Sequence, residues 1–254
     1  MRDTTLAALS RPAIEACAAD FSILRDVALN AQTLIERNSL FRGLPAATMA
    51  RVAALETRRH YEEGAVIFMR GDPGDSLCGV VTGRVRISSS GPGGKEVFLN
   101  IMEPGDAFGE IALLDGSPRT ASATAMARTE LMIIQRDAFF ALLETQPQLA
   151  THLIQLLCKR VRWTAEQMED SALLSVPARL AKRLLSLASA FGREIESGTK
   201  VSLSQEELAQ FLGLSRQIVN QHLQTWRAKE WISLGRGSVT IDNPRALQKV
   251  VREA

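Results

Sequence analysis

Apolar residues recur at roughly helical spacing early in the chain, where Leu40, Phe41, Leu44, Met49, Val52 and Leu55 follow one another with Pro45 inside the run. On that basis residues 1 to about 56 read as helix. The pattern then changes. From Gly64 to Ile134, turn signals arrive every several residues, at 71–75, 83, 91–94, 104–106 and 115–118. Short β-prone runs lie between them, at 65–68, 77–81, 85–87, 97–102, 121–127 and 131–134. Short strands at such even spacing predict an antiparallel roll of the jelly-roll kind.

Helical periodicity returns at Arg136 and runs to Leu174, interrupted near Pro147. Ile154, Leu157, Val161, Thr164, Met168 and Ser171 alternate steps of three and four, which is an a/d seam. A seam this short suits either a second copy of the helix or the core of a single chain. Thr164 interrupts it with a hydroxyl. Ser175 is a good N-cap and Pro177 is tolerated in a first helical turn, so one helix ends and another begins at Ser175-Val176-Pro177, and the inter-domain hinge is placed there. That second helix runs to Ala190, and a polar loop covers 192–200. The reading is an α+β chain with a helical extension (1–38), a β-roll (39–146), a long helix (147–174) and a C-terminal unit (175–254).

In the C-terminal unit, Ser204-Gln205-Glu206-Glu207 fits a capping box. Gly213-Leu214-Ser215 then turns the chain, and Ser215 caps a second helix from Arg216. Val219, Leu223 and Trp226 share one face of it, which leaves Arg216, Gln217, Asn220, Gln221 and Gln224 on the other. Such a polar, hydrogen-bonding face suits base edges in a major groove, although helix–turn–helix pairs also occur in plain bundles. The next segment, 231–241, reads as a hairpin with Gly235-Arg236-Gly237 at its tip, a wing that offers Arg236 to a phosphate.

Composition narrows the classes. At 46% hydrophobic and 23% charged residues, the chain has enough apolar surface for a core, which argues against global disorder. No apolar run reaches ~18 residues, so no membrane span is expected. The first ten residues lack a signal-peptide pattern. Cys17, Cys78 and Cys158 are far apart and form no CxxC, which fits free thiols in a reducing, cytoplasmic setting. Residues 178–254 hold 12 Lys and Arg against 7 Asp and Glu, a net of +5, whereas the rest of the chain nets −3. A basic C-terminal third suits a polyanion.

The most informative stretch is 108–121, Phe-Gly-Glu-Ile-Ala-Leu-Leu-Asp-Gly-Ser-Pro-Arg-Thr-Ala. Phe108-Gly109 leads into a helical turn whose first amides favour an anion. Arg119 can grip a phosphate bidentately, and the Glu110 carboxylate suits a ribose hydroxyl. The same two residues could equally form a plain ion pair on a surface turn.

This segment resembles the phosphate-binding cassette of cyclic-nucleotide-binding domains, and its flanks (Leu40-Phe41, Gly71-Asp72-Pro73-Gly74, Gly83-Arg84-Val85, Pro104-Gly105-Asp106) resemble theirs as well. From about Leu40 to Asn243 the chain resembles the cyclic-AMP receptor protein/FNR family of transcription regulators. The resemblance implies a homodimer that binds a cyclic nucleotide and a palindromic double-stranded DNA operator, with RNA polymerase as a further partner. It implies that Arg119 pairs with the cyclic phosphate and that Glu110 takes the ribose 2′-hydroxyl. The amides of Gly109 and Ala112, with Ile111 between them, and the Thr120 hydroxyl complete the site. Thr164 falls where relatives that bind cyclic AMP contact the adenine amine, and Arg160, one turn earlier, could reach Glu110. Ala165 departs from the Ser often found next, and Thr120 matches relatives that accept cyclic GMP. Cyclic AMP is therefore the first expectation and cyclic GMP the second.

For DNA, the resemblance implies that Arg216 contacts a guanine. Gln217 and Gln221 stand where the cyclic-AMP receptor has Glu and Arg, so an altered half-site is expected.

Two rivals within the family are weaker on these residues. A cluster sensor needs about four thiolates, and His60 is the one plausible haem ligand, so no metal, haem or iron–sulfur cofactor is expected. No HExxH or GxSxG supports an enzyme. A regulator that needs no ligand, with the roll as a dimerisation scaffold, is the remaining alternative.

Overall fold

A computed structural model describes residues 38–91 and 96–253. The expected helical extension falls on residues 1–37, outside the described residues. The first described segment is a turn rather than helix. Asn38 is buried, and its Oδ1 accepts the Leu40 amide at 3.0 Å. Helix α1 (Ala46–Leu55) follows Pro45.

Eight antiparallel strands then form two four-stranded sheets. One has the order β1 (Thr57–Tyr61), β8 (Thr129–Gln135), β3 (Ser76–Thr82) and β6 (Ala107–Phe108). The other has β2 (Val66–Phe68), β7 (Ser122–Ala125), β4 (Val85–Ser90) and β5 (Glu96–Met102). Six of these match β-prone runs in the sequence. The other two do not: Thr57-Arg-Arg-His-Tyr carries polar side chains, and β6 is two residues long. Each is recruited by pairing, β1 against β8 and β6 against β3.

Period-two alternation divides the core. On β8, Leu131 and Ile133 face the second sheet together with Cys78, Val80, Val85, Met102 and Ala123. Met132 and Ile134 face the other way, onto Leu40, Phe41, Met49, Phe139, Leu142, Leu149 and Leu153. Strands β3 and β8 are therefore buried on both faces, with helices α1, α3 (Arg136–Thr145) and α4 (Pro147–Leu173) covering the outer side.

Helix α4 ends at Leu173, and α5 (Val176–Phe191) starts at the expected break. Ser175 occupies the N-cap position, but its side chain makes no capping hydrogen bond. The segment expected as a polar loop instead holds a hairpin, β9 (Arg193–Ile195) and β10 (Gly198–Val201). It joins β12 (Ser238–Ile241) and β11 (Ile232–Gly235) in one sheet. Val201, fully buried, supplies the apolar anchor that the polar residues around it conceal. Helices α6 (Gln205–Leu212) and α7 (Arg216–Ala228) form the helix–turn–helix, and α8 (Pro244–Arg252) packs back on α5 through Leu247.

The C-terminal unit does not stand apart from the roll. Phe98 and Ile101 of β5 share one core with Leu184, Phe211, Leu212 and Trp226. The Phe98 and Phe211 rings meet edge to face at 5.4 Å, an arrangement worth roughly 0.5–1.5 kcal/mol beyond the area it buries. Lys182 of α5 bridges Glu166 (2.6 Å) and Asp170 (2.8 Å) of α4. Within the C-terminal unit, the Arg179 guanidinium donates to the Leu212 carbonyl at 2.9 Å and ties α5 to α6. Phe98→Ala should loosen this docking while sparing the roll. Amide hydrogen exchange of residues 208–212 should quicken and that of β3 and β8 stay slow; unchanged exchange in α6 would show that the joint does not depend on Phe98.

Candidate ligand cavity and nucleic-acid interface

The 108–121 segment folds as expected around a short helix, α2 (Glu110–Asp115), with Gly109 at its N-cap. Gly109 has φ +84°, and a Cβ placed there would lie 2.5 Å from Nη1 of Arg119. Both the backbone angle and the space demand glycine. Its carbonyl accepts that same Nη1 at 2.9 Å.

Glu110 and Arg119 are 2% and 4% exposed, and they do not pair with each other. This corrects the alternative of a surface ion pair. Arg119 donates to the carbonyl and hydroxyl of Ser76, both at 2.9 Å, and lies 4.3 Å over the Phe68 ring. Its Nε is buried with no hydrogen-bond acceptor. Among the described residues, no carboxylate lies within ion-pairing distance of it. Arg119 is thus a buried cation answered by neutral oxygens and a ring. Glu110 instead meets Arg160 of α4, Oε1 to Nε at 2.8 Å. Arg160 also donates to the Ala107 carbonyl at 2.7 Å, which pins α4 to the roll.

These groups open on one cavity of about 780 Å³, a size suited to a small organic ligand. Of the residues expected from the sequence, Gly109, Glu110, Ile111, Ala112, Arg119, Thr120, Arg160 and Thr164 all line it. The Thr164 hydroxyl donates to the Arg160 carbonyl at 2.9 Å, so its lone pairs remain for a ligand. The sequence reading missed the far wall. Trp163 and Gln167 lie there, on the stripe that runs through Leu149, Leu153, Leu156 and Arg160 at steps of four and three, and that spacing could have revealed them. Arg179, Arg183, Phe211 and Leu212 come from the C-terminal unit, and no local pattern announces them.

Along the seam, Ile154, Val161 and Met168 are 61%, 68% and 69% exposed. They do not belong to the core of this chain, since Leu149 and Leu153 on the neighbouring stripe do that work. His60 stands exposed on β1.

In the helix–turn–helix, the capping box forms in both directions. The Glu207 amide donates to Ser204 Oγ at 3.1 Å, and the Ser204 amide donates to Glu207 Oε2 at 2.7 Å. Ser215 Oγ accepts the Ile218 amide at 3.4 Å. Val219, Leu223 and Trp226 are buried. Arg216, Gln217 and Gln221 are exposed, and Asn220 is half-buried with its Oδ1 accepting from Gln224 at 3.2 Å. Arg236 is exposed at the wing tip beside Gly237, whose φ is +65°. A solvent-facing, donor-rich helix beside an arginine-tipped hairpin can enter a major groove and touch the flanking backbone.

Comparison with known proteins agrees with this geometry. Residues 58–146 match the family model of the cyclic nucleotide-binding domain, and 178–250 match the Crp-like helix-turn-helix domain. The CRP-like cAMP-activated global transcriptional regulator of Mycobacterium tuberculosis is 34% identical over 86% of this chain and 99% of its own length. The cyclic AMP receptor protein of Thermus thermophilus is 32% identical over 83% and 95%. Among solved structures, the c-di-GMP responsive global regulator CLP of Xanthomonas campestris superposes with a TM-score of 0.71 at 25% identity, over 78% of this chain and 99% of that one. The chain therefore belongs to the CRP/FNR family: it is a DNA-binding transcription regulator, not an enzyme, and it carries a cyclic nucleotide-binding domain.

Proposed function

We propose that this regulator works as a homodimer whose DNA affinity is set by a cyclic purine nucleotide held between the roll and α4, with cyclic AMP the first choice and cyclic GMP the second. The observation that carries the ligand assignment is Arg119. Burying a guanidinium costs several kcal/mol unless an anion answers it, and here only neutral oxygens and a ring do. A cyclic phosphate supplies the missing charge. Glu110 then takes the ribose hydroxyl with Arg160 steadying its carboxylate, while the base lies along α4 at Thr164. The free lone pairs of Thr164 suit the adenine amine, which favours cyclic AMP.

For DNA, Arg216, Gln217, Asn220 and Gln221 read bases. Ser204 and Ser215, at helix N-termini, and Arg236 on the wing engage phosphates. The exposed Ile154, Val161 and Met168 form the dimer seam, and a two-fold dimer with its recognition helices ~34 Å apart fits a palindrome. RNA polymerase is the further partner of an activator at such a site. The units follow the boundaries 39–146, 147–174 and 175–254.

Arg119→Leu tests the ligand assignment. Calorimetry with cyclic AMP, cyclic GMP and, because of the Xanthomonas relative, cyclic di-GMP should show a loss of about 2–5 kcal/mol for the cognate ligand, since the buried phosphate loses its cation. In the wild type, saturating ligand should tighten binding to a palindromic operator, measured by fluorescence anisotropy at fixed salt. Equal operator affinity with and without every ligand would instead favour the ligand-independent scaffold.

Val161→Lys tests the seam. Two ammonium groups would be brought together in an apolar contact, so light scattering should return the mass of a single chain. A dimer of undiminished strength would mean that the subunits meet elsewhere.

A further inference from the structure

Arg183 enters the ligand cavity from the DNA-binding unit. Its guanidinium lies 5.7 Å over the Trp163 ring and 5.4 Å over the Phe211 ring, and Nη2 donates to Oε1 of Gln167. Gln167 follows Thr164 by three residues on α4, which makes the two surface neighbours, and Trp163, four residues before Gln167, lies on the Gln167 side. All of these side chains line the one cavity. The guanidinium is therefore held beside the place where the base lies.

Arg183 brings a one-sided group to this place. A guanidinium carries five N–H donors and no acceptor. One donor is used on Gln167. The nearest carboxylates on α4, Glu166 and Asp170, are engaged by Lys182 at 2.6 and 2.8 Å. Burial draws the Arg183 pKa below its ordinary value, against the pull of Asp170 and Glu166. Gln167 gives one lone pair of its oxygen to Arg183 and keeps two amide N–H donors. The free donors of the Arg183 fork dominate this end of the wall, and they select acceptors. Guanine shows two along one edge, O6 and N7, in the spacing a guanidinium fork matches; adenine puts an amino donor where guanine has O6.

We infer that Arg183 is a specificity-determining residue of the nucleotide site, supplied by the DNA-binding unit, which reads the O6/N7 edge of guanine and raises the preference for cyclic GMP over cyclic AMP. This rests on the cyclic-nucleotide reading of the same cavity. Two readers then act in opposite senses: Thr164 accepts from an amine and Arg183 donates to a carbonyl. Because Arg183 sits on α5, a guanine held by it is tied to the DNA-binding unit directly.

Calorimetry of full-length wild type, R183Q and R183K with cyclic AMP and cyclic GMP tests the assignment. Glutamine pairs with adenine N6 and N7, so R183Q should weaken cyclic GMP about tenfold while cyclic AMP holds or tightens. R183K keeps the charge but loses the fork, so its loss should be smaller and confined to cyclic GMP. Thermal melts of R183K check that the docked units persist. Equal losses for both nucleotides would make Arg183 only a closing residue and overturn the assignment, as would unchanged constants. If the wild type bound neither nucleotide, the cyclic-nucleotide reading itself would fall, and this assignment with it.

Discussion

Helix α4 must satisfy several environments around one circumference, and the site, the exposed apolar seam and the link to the DNA-binding unit all depend on how it does so. Leu149 and Leu153 anchor its first turns against the outer face of the roll. Further along the same stripe, Arg160, Trp163 and Gln167 replace the leucines where the roll falls away into the cavity. On another face Ile154, Val161 and Met168 stay in solvent within a single chain. Near the end, Glu166 and Asp170 take Lys182 of the following helix. A helix that only packed against the roll would need one apolar stripe. This one carries two, and one of them turns polar along its length, which no core would retain.

Electrostatics explains why those polar groups are arranged as pairs and near-pairs. Glu110 is almost wholly buried, and Arg160 compensates it from another element, so the cassette and the long helix are fixed to each other. Arg119 is as deeply buried but has only carbonyl, hydroxyl and ring partners. Of two buried charges a few residues apart, one is balanced within the chain and the other is left for something that the chain does not supply. That asymmetry, more than the cavity's size, identifies an anion site.

Legibility in the sequence followed the range of the interactions. Features governed by neighbours a few residues apart were readable: the capping box at Ser204, the buried face of α7, the Arg236 wing, the break at Ser175 and the roll strands with their alternating pattern. Elements that exist because of distant partners were not. Strand β1 is polar and forms because β8 offers an edge. The 192–200 segment reads as loop because its composition is polar, yet β12 pairs with it and Val201 anchors it. Within the site, the cassette was legible because its residues are contiguous. Trp163 and Gln167 continue a stripe that begins with Leu149, Leu153 and Leu156, and that start reads as ordinary core. Arg183 and Phe211 could not be seen at all, because their place in the cavity depends on how α5 and α6 dock against β5.

That docking changes what a ligand can do. If the cavity were made by the roll and α4 alone, a nucleotide could influence DNA only by straightening or repositioning α4. Here part of the wall belongs to the unit that carries the recognition helix. A ligand touching both sides has a different contact set when the units are docked and when they are apart. Such a difference in binding free energy is the only means by which a ligand shifts a conformational equilibrium. Beside the shared core of Phe98 and Ile101 with Phe211 and Leu212, the specific contacts of the joint are few: one edge-to-face ring pair, the Arg183 contacts to Trp163 and Gln167, and the Lys182 bridges. Contacts of this kind are worth about one kcal/mol each, and partly exposed ion pairs less. A joint of that strength is firm enough to set the placement of α7 and weak enough for a nucleotide in the adjoining cavity to change its balance. The polar face of α7 remains exposed in the docked arrangement, so under the proposed function the joint would act through where it holds the helix–turn–helix relative to the proposed dimer seam, not by covering that face.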